Sequence, residues 1–445
     1  MTHPSDPSAA PPRRLPRTLA ERWTRPFARF LAIQSASGVV LFLCTLAALA
    51  IANSPAAVPF ANFWNLHLAI GVGDWKLDES LLHWVNDGLM TIFFSVVGLE
   101  IKREIVAGEL RDPRKAALPI MAAIGGMLAP AGVYLAYLAL VGETEGQTGW
   151  GIPMATDIAF VVGFLAVLGP RVPLGLKILL LSLAIADDIG AVLVIAVFYS
   201  TDISFVALGF AAAGLAAICG LNLLGVRRVG VYLAIGLAVW LAFLKSGVHP
   251  TVAGVMLGML TPARPWVGDR TLAQILRDAL GRLREEDDGA VEHHHKPLLD
   301  QVQTAAREAV SPLERMESAL HPWVAFGIMP LFALANAGVI VQPAAVGHPV
   351  AWAVAAGLVI GKPVGIVLLS WLAVRVGIAR LPVGVTWKTM VGAGCLAGIG
   401  FTMSLFIAGL ALDGTLLDAA KVGTLAGSTV SAALGMFLLV RYLPR

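Results

Sequence analysis

The sequence predicts an all-α polytopic membrane protein, and three observations carry that reading. Of 445 residues, 57% are hydrophobic and only 14% charged, with a mean hydropathy of +0.78; soluble domains carry about 25% charged residues. Apolar runs long enough to cross a bilayer, roughly 20 residues each, recur along most of the chain. The loops between them alternate in charge, as orientation in a membrane requires. The net charge of +3 is modest and its basic residues fall in loops, which argues against a nucleic-acid partner.

Taken in order, residues 1–30 are rich in Pro, Ser and Arg and are expected to form a disordered cytoplasmic tail. Arg22, Arg25 and Arg29 precede the first apolar run as in a signal peptide. No small-residue cleavage site followed by a soluble domain comes after it, so it reads as a retained helix. About twelve helices are expected, near 31–53, 82–105, 116–141, 153–168, 175–199, 203–225, 229–244, 248–260, 322–341, 350–374, 389–412 and 417–441. Those starting near 153 and 248 are short for a full crossing, which predicts irregular or broken helices.

Two pieces stand outside the bilayer. In residues 62–78, Leu66, Leu68 and Ile70 alternate with Asn65, His67 and Ala69 before a Gly71-Val-Gly-Asp74 turn, which predicts a small β-hairpin. The loop 262–320 shows helical periodicity at 271–284 and 298–319, broken by the acidic run Glu285 to Asp288 and by His293, His294 and His295. That triplet reads as solvated loop in preference to a metal site. Cys44, Cys219 and Cys395 lie far apart in apolar runs and read as small buried residues.

With the N-terminus in the cytoplasm, the loops that share its side are basic: Arg111, Arg114 and Lys115; Arg171 and Lys177; Arg227 and Arg228; then Arg375, Arg380 and Lys388, and the tail with Arg441 and Arg445. The opposite loops carry Glu143 and Glu145, Asp202, nothing charged in 341–349, and Asp413 with Asp418; Lys245 is the main exception. Both termini are therefore expected inside.

Charges within the apolar runs point to function. Asp187 and Asp188 sit together at the centre of one run, Asp157 in a second and Lys362 in a third. A carboxylate at the middle of a membrane helix costs about 2.5–3.5 kcal/mol on insertion scales. Opposite charge, a held proton or a bound cation must offset it. Consecutive helical residues point about 100° apart, so one of Asp187 and Asp188 can meet Lys362 while the other faces a cavity. A structural Lys362–Asp bridge alone leaves the other two acids unexplained. Thr156, beside Asp157, adds a neutral oxygen suited to a small hard cation such as Na⁺ or Li⁺. Carboxylates crowded in a low-dielectric site repel one another, so protons and Na⁺ compete for the same oxygens. Such competition is enough for exchange. Pro153 with Thr156–Asp157, and the glycine-rich stretch 392–400, mark two interrupted spans in comparable places, a pattern of inverted repeats around a midplane site.

Ala155-Thr-Asp-Ile-Ala-Phe160, Leu183-Ala-Ile-Ala-Asp-Asp188, Lys245-Ser-Gly-Val-His249, Leu320-His-Pro-Trp323, Leu334-Ala-Asn-Ala-Gly338, Gly361-Lys-Pro363 and Gly398-Ile-Gly-Phe-Thr-Met-Ser404 together resemble the NhaA family of sodium/proton antiporters over roughly residues 30–441. Inverted repeats with broken helices are a known trait of that family. The resemblance implies that Asp188 is a principal Na⁺ and proton carboxylate, assisted by Asp157 and Thr156, and that Asp187 pairs with Lys362. Asp157 and Lys362 would offset opposing helix-end dipoles where repeats of about 116–199 and 350–441 cross. It further implies electrogenic, pH-regulated export of Na⁺ or Li⁺ against more than one H⁺, in a bacterial inner membrane, by a homodimer joined through residues 62–78 and needing no cofactor.

Glu100, Lys102, Arg103 and Glu104, with Glu317 and His321, resemble the family's pH-sensing funnel; a charge cluster anchoring a helix end, with snorkelling basic chains, accounts for them equally well. This chain has Ser318 where some relatives carry His, and a long preceding loop. His249 resembles another family position. An enzyme reading fails: Gly71-Val-Gly-Asp74 matches the signature of intramembrane aspartyl proteases, but no Tyr-Asp pair supplies a second aspartate. A sodium-coupled solute symporter of related fold is the alternative, and would need further polar groups for its solute.

Overall fold

In lipid every backbone polar group must be satisfied within the chain, so long apolar runs have no choice but helix. The computed structural model describes residues 34–72, 75–226, 229–285 and 295–443. The expected tail at 1–30, and Asp74, Arg227, Arg228, His293 and His294, lie outside them.

Helix α1 (Gln34–Ala52) is followed, across a 118° bend, by α2 (Ala57–Trp64). Strands β1 (His67–Val72) and β2 (Trp75–Ser80) pair antiparallel with His67 opposite Ser80 and Ile70 opposite Leu77. The hairpin therefore starts later than residue 62: Asn62 to Trp64 belong to α2. Leu66, Leu68 and Ile70 are exposed on it, and Trp84 ties it to the next span by donating its indole N–H to the Leu68 carbonyl at 3.1 Å.

A short turn and a wide π turn (Trp84–Leu89) lead into α3 (Met90–Val106). Helix α4 (Pro113–Val141) has a clear local logic. Asp112 caps it by accepting from Arg114 N at 3.0 Å, Pro113 occupies the first turn, and Gly142 ends it at φ 79°, a conformation that favours glycine. A 3₁₀ segment (Gln147–Met154) and α5 (Ile158–Leu168) follow, then α6 (Leu174–Phe198), α7 (Phe205–Leu223), α8 (Val229–Leu244) and α9 (Thr251–Leu260). The long loop folds as α10 (Asp269–Glu285) and α11 (His295–Glu308), with α12 (Pro312–Trp323) continuing through a π turn (Val324–Ile328) into α13 (Met329–Asn336). Helix α14 (Pro349–Ala356) passes through another π turn (Gly357–Gly361) into α15 (Lys362–Arg375), and α16 (Trp387–Ala397), α17 (Phe401–Ala411) and α18 (Gly414–Tyr442) complete the chain.

Among the described residues, seven helical runs are long and apolar enough to cross a membrane, or nine if the two bent pairs each count once. The expected count of about twelve is not reproduced on that criterion. Helices α8 and α9 are apolar but short, and α3, with 17 residues, carries four charged residues in its last two turns.

Most of these spans share one core, with Phe94, Phe332 and Phe406 meeting at ring separations of 5.6 and 6.1 Å, while α7, α8 and α9 close around a smaller one at Ala211, Val239, Phe243 and Ala253. Helix α15 crosses α4 with glycine at the contact: a Cβ on Gly365 would come 2.5 Å from the Ala129 Cβ. That close approach brings Lys362 to the centre of the bundle.

Candidate functional site

Two interrupted spans build the site. In the first, Pro153 cannot donate to a helical ladder, and the backbone runs extended from Ala155 to Asp157 before α5 begins. Asp157 caps that helix, its Oδ1 accepting from Phe160 N at 3.3 Å. In the second, α16 ends at Ala397 and α17 starts at Phe401 after the Gly398–Gly400 break, with a 47° bend.

Each break satisfies the other. Thr156 Oγ1 donates to the Ala397 carbonyl at 2.9 Å, and Asp157 N donates to the Ile399 carbonyl at 2.7 Å. Asp157 Oδ2 accepts from Thr402 N at 3.1 Å and also from the Thr402 hydroxyl. One carboxylate thus meets the first turns of both α5 and α17, where helix dipoles present positive charge. Ser428 Oγ accepts from Phe401 N at 3.1 Å, and Ser404 Oγ donates to the Ile152 carbonyl at 2.6 Å. Lys362 Nζ lies at the opposite polarity, donating to the Met154 carbonyl that ends the 3₁₀ segment.

Lys362 Nζ also donates to Asp187 Oδ2, at 2.6 Å. The second oxygen, Asp187 Oδ1, is buried without a hydrogen-bond partner. Thr156 is a polar neighbour of this carboxylate, its hydroxyl turned to the Ala397 carbonyl. Asp188 makes no hydrogen bond or ion pair among the described residues. Asp157, Asp187, Asp188, Thr156 and Lys362 are all at most 3% exposed. Three acids therefore share one base in the buried interior, with one acceptor unfilled and one carboxylate unpaired. A buried charge in that condition calls for a proton or a cation. No group of three or more His, Cys, Asp and Glu with metal-holding geometry occurs among the described residues. The donors near the breaks are instead carboxylate, hydroxyl and carbonyl oxygens, the set a hard monovalent cation accepts.

The remaining candidates divide into two places. Arg103 pairs with Glu317, and Glu104 Oε2 accepts from Glu109 N at 3.1 Å. Glu100 lies on the same helix, three and four residues before Arg103 and Glu104. His321 is exposed on the last turn of α12. His249 is elsewhere: its Nε2 lies 3.4 Å from Asp87 Oδ1, its Nδ1 2.7 Å from Thr251 Oγ1, and its ring edge-on to Phe406 at 5.3 Å. Asp87 precedes Glu100 by 13 residues on one helical run, or about 20 Å at the helical rise.

Sequence reasoning missed Asp87, His83 and Thr402. Asp87 is buried between His249 and His83, whose Nε2 lies 3.0 Å from Oδ2. Its signal was available, a carboxylate in the apolar run Trp84 to Phe94. Thr402 has only its place in the glycine-rich stretch to mark it.

Residues 28–439 match the family described as Na⁺/H⁺ antiporter 1. The Na⁺/H⁺ antiporter NhaA of Rhizobium meliloti is 50% identical over 430 residues, 96% of this chain and 97% of that protein. That of Rhodopirellula baltica is 50% identical over 97% of both chains, and that of Oleidesulfovibrio alaskensis 48% identical over 100% of this chain and 98% of its own. Sharing half its residues with these transporters over nearly its whole length, the chain belongs to the Na⁺/H⁺ antiporter 1 family.

Proposed function

We infer that this chain exchanges Na⁺, and Li⁺ with it, for protons across a bacterial inner membrane, by competition at Asp188 and Asp157. The observation that carries this reading is the pair of mutually bonded breaks enclosing three acids and one base, with Asp187 Oδ1 orphaned and Asp188 unpaired. Asp188 is the principal cation and proton carboxylate. Asp157 and Thr156 supply further oxygens when the cation displaces their present partners, and Asp187 with Lys362 holds the charge balance as the site empties. Transport is electrogenic, more than one proton moving per Na⁺. The work is translocation; no bond of a substrate is made or broken.

The order long helix, broken span, long helix occurs twice, in 113–198 and 349–442, and supports two inverted repeats. Basic loops on one side support cytoplasmic termini. The exposed Leu66, Leu68 and Ile70 stripe supports a homodimer joined through the hairpin. Glu100, Arg103, Glu104 and Glu317, with His321, regulate exchange from one end of the α3 run, and His249 from the other.

Everted vesicles carrying an imposed pH gradient test the reading. Added Na⁺ or Li⁺ should dissipate the gradient, and organic solutes without those ions should not. A gradient untouched by Na⁺ and Li⁺ at every pH at which the vesicles hold it would end it.

A further inference from the structure

The hairpin formed by α10 and α11 takes no part in the ion site, yet its surface is sorted by chemistry. The two helices pack on each other through Ala279 and Ala305, and apart from that pairing the chain ties them down chiefly at their roots, where Trp266 N and Val267 N donate to the Glu308 carbonyl at 3.0 and 3.1 Å. Both ends return to apolar spans, α9 before and α12–α13 after. This piece therefore sits beside the bilayer plane.

Around α10, at about 100° per residue, Arg277 aligns with Arg270, and the same seven-residue spacing recurs at Arg284 in the sequence. Leu280 and Leu276 follow on one flank, 56% and 39% exposed. The seam against α11, with Ile275 and Ala279, comes next. Gln274 and Asp278 occupy the other flank. Leu299 on α11 and Trp266 at the root add further exposed apolar surface, 55% and 68%. Asp269 opens the helix, where an acid complements the dipole.

A two-helix unit that leaves an apolar flank bare beside an arginine row, at the edge of a bilayer, has the layout of an interfacial amphipathic helix. We propose that the Leu276–Leu280 flank of α10 lies in the headgroup region of the adjacent leaflet, with Arg270 and Arg277 on the phosphates of anionic phospholipid. The charge pattern selects lipid over a second copy. In a contact between two copies the arginine row would need facing acids, whereas each basic residue near an anionic surface adds about 1 kcal/mol.

The test places a spin label at Leu276→Cys, Leu280→Cys or Gln274→Cys in full-length protein whose Cys44, Cys219 and Cys395 are replaced, with retained Na⁺-driven exchange as the check on folding. The proteins are reconstituted in phosphatidylcholine with or without phosphatidylglycerol. Labels at 276 and 280 should collide more with oxygen than with a nickel chelate, the label at 274 the reverse, and phosphatidylglycerol should shift the first two deeper. Arg270→Gln with Arg277→Gln should abolish that shift while the leucine sites remain in lipid. Preference for the nickel chelate at 276 and 280 in both bilayers would overturn the proposal. So would spectral broadening relieved by dilution with unlabelled protein, the mark of a second copy, or inaccessibility to both reagents, the mark of packing against the rest of the chain.

Discussion

At the scale of single residues, the proposed ion site rests on a few contacts that can be removed singly. Asp187→Asn and Asp188→Asn should each abolish or nearly abolish Na⁺-driven proton movement at normal expression; wild-type rates in both purified variants would remove these residues from the site. Lys362→Ala strands Asp187 in the interior, and breaking one side of a buried pair costs about 3–5 kcal/mol. Thermal unfolding should show that loss, and part of it should vanish when Asp187→Asn is added; strictly additive losses would show the two to be uncoupled. Thr402→Val removes a hydroxyl from Asp157 while leaving the backbone N–H in place. Hydrogen bonds to charged groups are worth about 1.5–3 kcal/mol, so a proton or Na⁺ must compensate more of the Asp157 charge. Unchanged apparent Na⁺ affinity in this variant would mean that Asp157 stays aside during exchange. The four intramembrane charges were legible from their apolar flanks alone, because burial of an acid is expensive wherever it occurs. Thr402, the Met154 carbonyl and the Ile399 carbonyl were not, because a backbone group 200 residues distant in the chain leaves no local trace.

Elements were legible where a residue type breaks a pattern and illegible where geometry alone does. Pro153 and the Thr156–Asp157 pair announced the first break, and the glycines of 392–400 the second. The three π turns carry markers that do not specify their form: Asn86, Asp87 and Gly88 sit in the first, and Pro330 and Pro363 follow the other two, yet these residue types read equally well as an ordinary helix start or kink. The strand limits slipped for a related reason, since Asn62 to Trp64 satisfy a helix as readily as an alternating pattern. The hairpin itself carries the prediction that belongs to this scale. Deleting residues 66–80 should shift the protein from dimer to monomer in detergent, read by cross-linking or light scattering, and leave Na⁺ binding intact. Dimers that survive the deletion unchanged would give the hairpin another purpose.

For the whole molecule, the telling quantity is how Na⁺ affinity follows pH. Where Na⁺ and protons share oxygens at Asp157 and Asp188, each bound proton must leave before the cation can enter, so protonation weakens binding. Raising the pH empties the competing protons. The apparent KM for Na⁺ should therefore fall as pH rises and flatten once the carboxylates are ionised. A switch acting through Glu100, Glu104 or Glu317 would instead change the maximal rate at saturating Na⁺. Exchange measured against Na⁺ concentration at several pH values separates the two, and an affinity constant across the active range would refute shared-site competition.

The mutual bonding of the two breaks also sets a timetable for making the protein. Thr156 and Asp157 leave the ribosome 241 and 245 residues ahead of their partners Ala397 and Thr402. At about 5–20 residues per second, the first half spends roughly 12–50 s in or near the membrane before the second half exists. During that interval the Ala155–Asp157 backbone and an unpaired acid must be sheltered by water or by the insertion machinery. Lys362 emerges first of the later groups and can take up the Met154 carbonyl and Asp187 before the second break arrives. The nascent chain thus acquires its charge balance earlier than its crossing, and a truncation after α15 should insert with Lys362 already engaged.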